Sequence, residues 1–199
     1  MTDEAIFYEP IGRWLIEEKG CQKDQYSHGV LYETEVLGRR VDVLGLRYEI
    51  LPYSGGRERV AHFHGYIVEV KPDQELESIY SLIGEMEVII LRLRDPNLPQ
   101  GFHYVYPYVA VPGETICDDL VRYCKDRGVG CLRLEVKDEQ RVYTYEEIEA
   151  KRLELPGIPH SKMRSPGVFE ACVKDYPYLL KLLRNRPDNF FEGLLRVRK

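Results

Sequence analysis

A carboxylate and an amine close one apolar strand of this sequence, and a second carboxylate lies in a strand just before it. Residues 66–71 read Tyr-Ile-Val-Glu-Val-Lys, and because side chains alternate along a strand, Glu69 and Lys71 share one face. Asp42 lies among the aliphatic residues of the run 40–46. Charged groups in apolar surroundings are costly unless they pair, bind a metal or contact a ligand. The pattern predicts a compact site for a hard divalent cation and a phosphate.

A structural role is the alternative for the same three residues. Glu69 and Lys71 could form an ion pair at the end of a strand, and Asp42 could pair with Arg40 or Arg47. Such pairs need no ligand. The sequence alone leaves both interpretations open.

Hydrophobic periodicity and turn residues predict the elements that position these groups. Helices are expected over residues 7–19, 75–93 and 115–127, and strands over 28–36, 40–48, 60–71, 103–111, 131–136 and 142–144, with a loop at 52–56. The second helix is apolar on more than one face, so it is expected to be well buried. A helix, three strands and then alternating helices and strands predict an α/β fold with a mixed central sheet flanked by helices.

Charge divides the chain into two parts. Residues 156–199 hold nine Lys or Arg and four Asp or Glu, a net charge of +5, whereas the first 155 residues carry −10. We expect a domain over 1–155 and, after a Pro-Gly-Ile-Pro linker, a basic extension over 156–199 with helices at 168–184 and 189–196. The basic segment is either a phosphate-binding surface or an ordinary solvated surface.

Several classes of protein are disfavoured by the composition. No apolar run approaches the roughly 18 residues of a membrane span, and the first residues lack the pattern of a secretory signal. Five cysteines, an odd number without a Cys-x-x-Cys pair, argue against a disulfide framework and against a zinc or iron–sulfur site. We therefore expect a cytoplasmic protein without a membrane partner.

The chain resembles the PD-(D/E)xK nuclease superfamily. The resemblance lies in Asp42 within Arg-Arg-Val-Asp-Val-Leu-Gly and in Glu69-Val70-Lys71 at the end of an apolar strand. Glu9, in the first helix, is similar in position to the helix-borne glutamate of archaeal Holliday-junction resolvases. The resemblance covers roughly residues 7–136 and departs from the family name in having Val41 where that name has proline.

The resemblance implies a restriction-endonuclease-like core, in the order α-β-β-β-α-β, with a C-terminal helical extension. It implies a nuclease that hydrolyses phosphodiester bonds with Mg²⁺ or Mn²⁺, held by Asp42, Glu69 and the carbonyl of Val70. Lys71 would position the attacking hydroxide or stabilise the transition state, and Glu9 would hold a second ion or orient a water. Two further glutamates, Glu85 and Glu35, are additional candidates that could face the site or lie on the surface.

The expected substrate is DNA rather than RNA. Contacts to the nucleic acid are expected from Arg57, Arg59, Lys162 and Arg164, and relatives that act as dimers make a homodimer an expectation. The alternative is a catalytically silent protein with the nuclease fold, which binds nucleic acid or serves as a partner module in a repair or defence complex.

Overall fold

The computed structural model describes residues 4–23, 27–53, 57–95, 102, 104–137, 141–153 and 155. A 3₁₀ turn, Glu4–Phe7, leads into the first helix. The elements are α1 (Tyr8–Lys19), β1 (Val30–Val36), β2 (Arg39–Tyr53), β3 (Arg57–Val70), α2 (Leu76–Leu93), β4 (Tyr104–Pro112), α3 (Asp118–Arg127), β5 (Gly130–Lys137) and β6 (Arg141–Ile148).

All six strands form one sheet in the order in which they occur along the chain. The first three strands make an antiparallel meander. β3, β4 and β5 run parallel to one another, and β6 returns antiparallel to β5. A parallel neighbour needs a crossover connection, and α2 and α3 lie in these two connections. The predicted α/β fold with a mixed sheet flanked by helices is confirmed.

The hairpin between β1 and β2 fixes the register of the sheet's first edge. Val36 pairs with Arg39 across a two-residue loop, and both loop residues have positive φ, 51° at Leu37 and 73° at Gly38. Two-residue loops of this kind match the twist of the strands that they join. The hairpin therefore sets which β1 residue faces Asp42.

The second hairpin is longer than the sequence predicted. β2 continues through Tyr53, which pairs with Arg57 of β3, so the predicted loop at 52–56 was wrong for its first two residues. Cross-strand pairing with β3 extends the ladder there despite Pro52, because proline is tolerated where the ladder needs no amide hydrogen.

The two faces of the sheet have separate apolar cores. On one face α1 packs against β-strand residues that include Val43, Val68 and Val70. On the other face α2 and α3 cover residues that include Leu44 and Ile67. Since side chains alternate along a strand, Glu69 shares the α2 face with Ile67.

α2 is only half covered, which contradicts the expected burial of this helix. One face is buried, with Ile79, Leu82, Met86, Ile89, Ile90 and Leu93 against the sheet. Leu76, Tyr80, Val88 and Leu91 are exposed. A helix on a single sheet can bury only one side, so its second set of apolar residues faces solvent.

Near the end of the described residues, Leu153 bridges to Val105 on β4. The predicted linker and the helices at 168–184 and 189–196 lie outside the described residues, so the domain boundary at 155 stays a prediction. None of the described helices is long and apolar enough to cross a lipid bilayer.

Candidate active site

Asp42 and Glu69 come together on adjacent strands. Val43 pairs with Val68, so the next position along the two strands brings Asp42 beside Glu69. The two carboxyl groups are close enough for each to affect the pKa of the other. Because Glu69 is buried and Asp42 is partly buried, this proximity favours a shared proton or a cation between the two groups.

Asp42 is held by two donors at its two oxygens. The Tyr8 hydroxyl, from the first turn of α1, donates to Oδ1 over 3.1 Å, and the Val70 amide donates to Oδ2 over 2.7 Å. Burial raises the pKa of Asp42, and these two hydrogen bonds and the charge of Lys71 oppose that rise. The carboxyl group is thereby fixed in one orientation near the start of β2.

Glu69 is the most strongly perturbed acid of the site. It is only 4% exposed, and its Oε1 has no hydrogen-bond partner among the described residues. Burial, followed by the charges of Asp42 and Glu85, raises the pKa of Glu69 to about 9, against the opposing charge of Lys71. At neutral pH the Asp42–Glu69 pair therefore keeps one proton. A bound cation could replace this proton and neutralise both carboxylates.

Lys71 is anchored on α2. Its Nζ lies 2.9 Å from Glu85 Oε2 and 3.8 Å from Glu4 Oε1, and the Ser81 hydroxyl donates to Glu85 over 2.9 Å. Burial would lower the pKa of Lys71, but the hydrogen bond to Glu85 and the nearby negative charges outweigh it and raise the pKa. Lys71 is therefore a fixed cation beside the two carboxyl groups.

These groups line an open cleft of about 700 Å³. Its acidic residues are Glu4, Glu33, Asp42, Glu69 and Glu85, and its basic residues are Arg39, Arg40 and Lys71. Arg40 forms an ion pair with Glu33, and Lys71 is bound to Glu85. Negative charge exceeds positive charge in the cleft, which favours cations there.

Two predicted site residues lie elsewhere. Glu9 is exposed on α1 and is not among the residues that line the cleft. Consecutive helical residues are about 100° apart, so Tyr8 can face Asp42 while Glu9 lies near Tyr32, whose pKa it helps to raise after burial. Glu4, in the preceding 3₁₀ turn, is the glutamate from the N-terminal segment that lines the cleft.

Glu35 is likewise exposed, opposite Arg40, and does not line the cleft. Glu33 takes that place. Counting back from the hairpin loop puts Glu33 across from Asp42, and this register was the sequence signal that could have identified it. Glu33 has a φ of 48°, a left-handed conformation that costs energy in a residue other than glycine.

Of the remaining predicted site residues, one lines the cleft and the others do not or lie outside the described residues. Glu85 lines the cleft and contacts Lys71, as described above. Arg57 and Arg59 lie at the other end of β3, and at about 3.3 Å per residue Arg59 is roughly 30 Å along the strand from Glu69. Lys162 and Arg164 lie outside the described residues.

The described residues include no group of three or more His, Cys, Asp or Glu side chains arranged to hold a metal ion. The cleft has two adjacent carboxyl groups, those of Asp42 and Glu69. Any cation here would complete its coordination with waters, backbone carbonyls or oxygens of a substrate.

Comparisons with protein-family models, with curated proteins and with solved structures found no match. Functional inference for this chain therefore depends on the geometry of the cleft.

Proposed function

We propose that the protein is a Mg²⁺- or Mn²⁺-dependent nuclease that hydrolyses phosphodiester bonds, with DNA as its substrate. One observation carries the proposal: the partly buried carboxyl group of Asp42 and the buried carboxyl group of Glu69 lie side by side near Lys71 in the lining of an open cleft, and Glu69 Oε1 has no partner among the described residues. The order of α1, three antiparallel strands, α2 and the parallel strand β4 agrees with a restriction-endonuclease-like core and supports the same proposal.

The residues fit a magnesium or manganese ion. Mg²⁺ is commonly bound by one or two carboxylates, with waters and substrate phosphate oxygens filling the other positions. Asp42 and Glu69 would supply the two carboxylates, and the Val70 carbonyl is a candidate third ligand. Two carboxylates and one carbonyl would leave coordination positions open for oxygens of a phosphate substrate.

A bound cation would polarise the scissile phosphate and lower the pKa of an attacking water. Tyr8 and the Val70 amide keep Asp42 in the orientation needed to hold that ion. Lys71 can stabilise negative charge that develops on the phosphate oxygens. The ion pair with Glu85 restricts the position of the Lys71 amine. The protein's own contribution is thus a preset pair of ligands with a fixed neighbouring cation.

The acidity of the cleft supports a cation-dependent mode of action. Phosphodiesters are anionic, and a cleft with more carboxylates than basic groups repels them unless a cation intervenes. We expect binding of DNA in the cleft to require a divalent ion. A silent binding module would instead bind nucleic acid without cation uptake at Asp42 and Glu69.

Cleavage assays on the full chain test the proposal. Supercoiled plasmid and end-labelled duplex DNA, single-stranded DNA and RNA oligonucleotides are incubated with Mg²⁺, Mn²⁺ or EDTA. We expect cation-dependent cleavage of DNA that falls at least about 100-fold in Asp42→Asn, Glu69→Gln and Lys71→Met, the scale typical for loss of a charged group acting on the transition state.

Matched variants outside the cleft control for purification and folding. Glu17→Gln on α1 removes an exposed glutamate, and Lys125→Met on α3 removes an exposed lysine, so both should cleave like the unaltered protein. Equal cleavage by Asp42→Asn and by the unaltered protein would reject the assigned site. Cation-independent nucleic-acid binding with no cleavage would favour the silent module.

A further inference from the structure

The face of α2 that points away from the sheet carries large apolar side chains. Among the described residues, Leu76 is 61% exposed, Tyr80 59%, Val88 38% and Leu91 64%. With Gly84, these residues recur every three or four positions and form one stripe along the helix, which we call the α2 stripe. A large exposed apolar surface of this kind marks a contact with another element or another molecule.

The described residues end at Leu155, on the same side of the sheet as α2. Leu153 bridges to Val105 near the start of β4, and both Leu153 and Leu155 pack in the core that lies under α2. Because α2 is the crossover between the parallel strands β3 and β4, its last residue, Leu93, lies at the same end of the sheet, and Leu93 belongs to the same core. The chain after Leu155 therefore starts near the C-terminal end of the α2 stripe.

Residues 168–184 lie outside the described residues, and their sequence has the period of an amphipathic helix. At about 100° per residue, one sector of this helix, roughly 100° wide, holds six apolar residues: Phe169, Cys172, Tyr176, Leu179, Leu180 and Leu183. The opposite side holds Glu170, Lys174, Pro177 and Lys181. Pro177 therefore falls on the charged side, where the hydrogen bond that a proline cannot make is open to water. A helix with this pattern needs an apolar surface that covers its other side.

The lengths of the two apolar faces match. The 18 residues of α2 span about 27 Å, and a helix over 168–184 spans about 25 Å. The connecting residues 156–167 can extend over as much as about 40 Å. This reach is enough to bring residue 168 from the end of the described residues to either end of α2.

The order of charges favours an antiparallel arrangement. Glu77 is exposed in the first turn of α2, and Arg94 is exposed directly after its last turn. Residues 168–184 have the same order, with Glu170 near the start and Arg184 at the end. Two antiparallel helices would bring unlike charges and opposite ends of the helix dipoles together, whereas parallel helices would bring like charges together.

We propose that residues 168–184 form a helix that packs on the α2 stripe of the same chain, antiparallel to α2. Gly84 lies in the middle of the stripe, and a Cβ atom added there would meet no atom within 4 Å among the described residues. This space accepts the ring of Tyr176, the middle apolar residue of the other helix. Counting outward from that contact in opposite directions, Cys172 lies opposite Val88.

The proposed contact leaves the cleft open. At about 100° per residue, the centre of the α2 stripe is more than 120° from Leu82, Met86 and Ile89, the buried residues in the middle of the helix. Glu85, which lines the cleft, lies between the two faces. The proposal is therefore independent of the cation site, and its tests need no divalent cation.

An engineered disulfide tests the contact and its register in the full chain. Apart from half-buried Cys117, the described cysteines are buried, so a Cys117→Ser background leaves Cys172 as the native thiol available for pairing. In that background, Val88→Cys is oxidised with glutathione disulfide at about 5 µM protein. We expect most chains to form an intrachain disulfide between the introduced thiol and Cys172, identified by peptide mass spectrometry. The matched control is Val136→Cys on β5, whose valine is 51% exposed on the α1 side of the sheet, and it should form none.

Labelling of Cys172 measures the same packing without a cross-link. In the Cys117→Ser background, we expect a thiol reagent to modify Cys172 at least tenfold more slowly in the native protein than in urea, as read by mass spectrometry of the labelled peptide. Gly84→Arg fills the space proposed for the Tyr176 ring and should raise the native labelling rate at least tenfold. Val136→Arg should leave that rate unchanged, and circular dichroism checks that both variants fold.

Three outcomes would overturn the proposal. The first is a yield of intrachain disulfide from Val88→Cys no higher than that from Val136→Cys. The second is a disulfide that forms only between chains, which would identify a second molecule as the cover of the α2 stripe. The third is labelling of Cys172 that is as fast in the native protein as in urea, or that Gly84→Arg does not change.

Discussion

Replacing Glu69 by glutamine should stabilise the protein when no divalent cation is present. Glutamine is nearly the same size as glutamate and cannot carry the charge that Asp42 and burial disfavour. In most buried positions, loss of a hydrogen-bonding carboxylate destabilises a protein. A gain in stability is therefore the distinctive mark of a residue kept for binding.

The size of this gain follows from the pKa of Glu69. Its folded-state pKa is raised from 4.5 to about 9, so the folded protein binds the proton more tightly than the unfolded chain does. The stability from this proton is complete below pH 4.5 and is lost as the pH rises toward 9. Each pH unit in that window is worth about 1.4 kcal/mol, which sets an upper limit of about 3 kcal/mol near neutral pH.

Urea unfolding in EDTA, at half-unit steps from about pH 4 to pH 8, measures the difference. We expect Glu69→Gln to match the unaltered protein near pH 4 and to exceed it increasingly above pH 5. Glu17→Gln, an exposed substitution on α1, should show no such trend. A destabilised Glu69→Gln protein at neutral pH would refute the argument, because Glu69 would then be a satisfied structural residue.

Three other predictions concern the residues around this pair. Tyr8→Phe removes the hydroxyl that holds Asp42 Oδ1, so we expect a cleavage rate about tenfold lower with less than about 1 kcal/mol of lost stability, measured by kinetics and by thermal melts. Glu87→Gln breaks a two-contact ion pair with Arg127 between α2 and α3, and we expect the free energy of unfolding to fall by about 0.5–1 kcal/mol. Because this ion pair lowers the pKa of Glu87, the loss should be present above pH 4.5 and should vanish as the pH falls. Urea titrations at pH 7 and pH 3 measure the difference. Gly130→Ala would place a Cβ atom in the ring of buried Tyr108 and 2.8 Å from the backbone nitrogen of Ala150. The free energy of unfolding should therefore fall by about 1–3 kcal/mol. An unchanged melting curve would contradict this packing.

The strands around the site could be predicted because their pattern is short-ranged. Alternation along 66–71 put Glu69 and Lys71 on one face. The predicted strands, 28–36 and 40–48, left a three-residue connection, whereas Val36 pairs with Arg39 across a two-residue loop, so the observed register differs by one residue. Recognising the two-residue loop would have placed Glu33 opposite Asp42. Strand residues alternate strictly, so a face assignment follows from parity alone.

Helical residues were harder to assign. Glu9 has the expected element and spacing, but the rotation of α1 on the sheet turns it away from the cleft and leaves Glu4 there instead. That rotation is set by packing between distant parts of the chain. Likewise, the many apolar residues of α2 indicated burial. The sheet covers only one side of this helix, so Leu76 and Leu91 are exposed.

Calorimetric titration of Mn²⁺ into the full chain tests the central claim, that Asp42 and Glu69 form a cation site, most directly. We expect one ion per chain, with affinity that falls at least tenfold in Asp42→Asn and is unchanged in Glu17→Gln. No uptake at millimolar Mn²⁺, or equal uptake by Asp42→Asn and the unaltered chain, would contradict the claim.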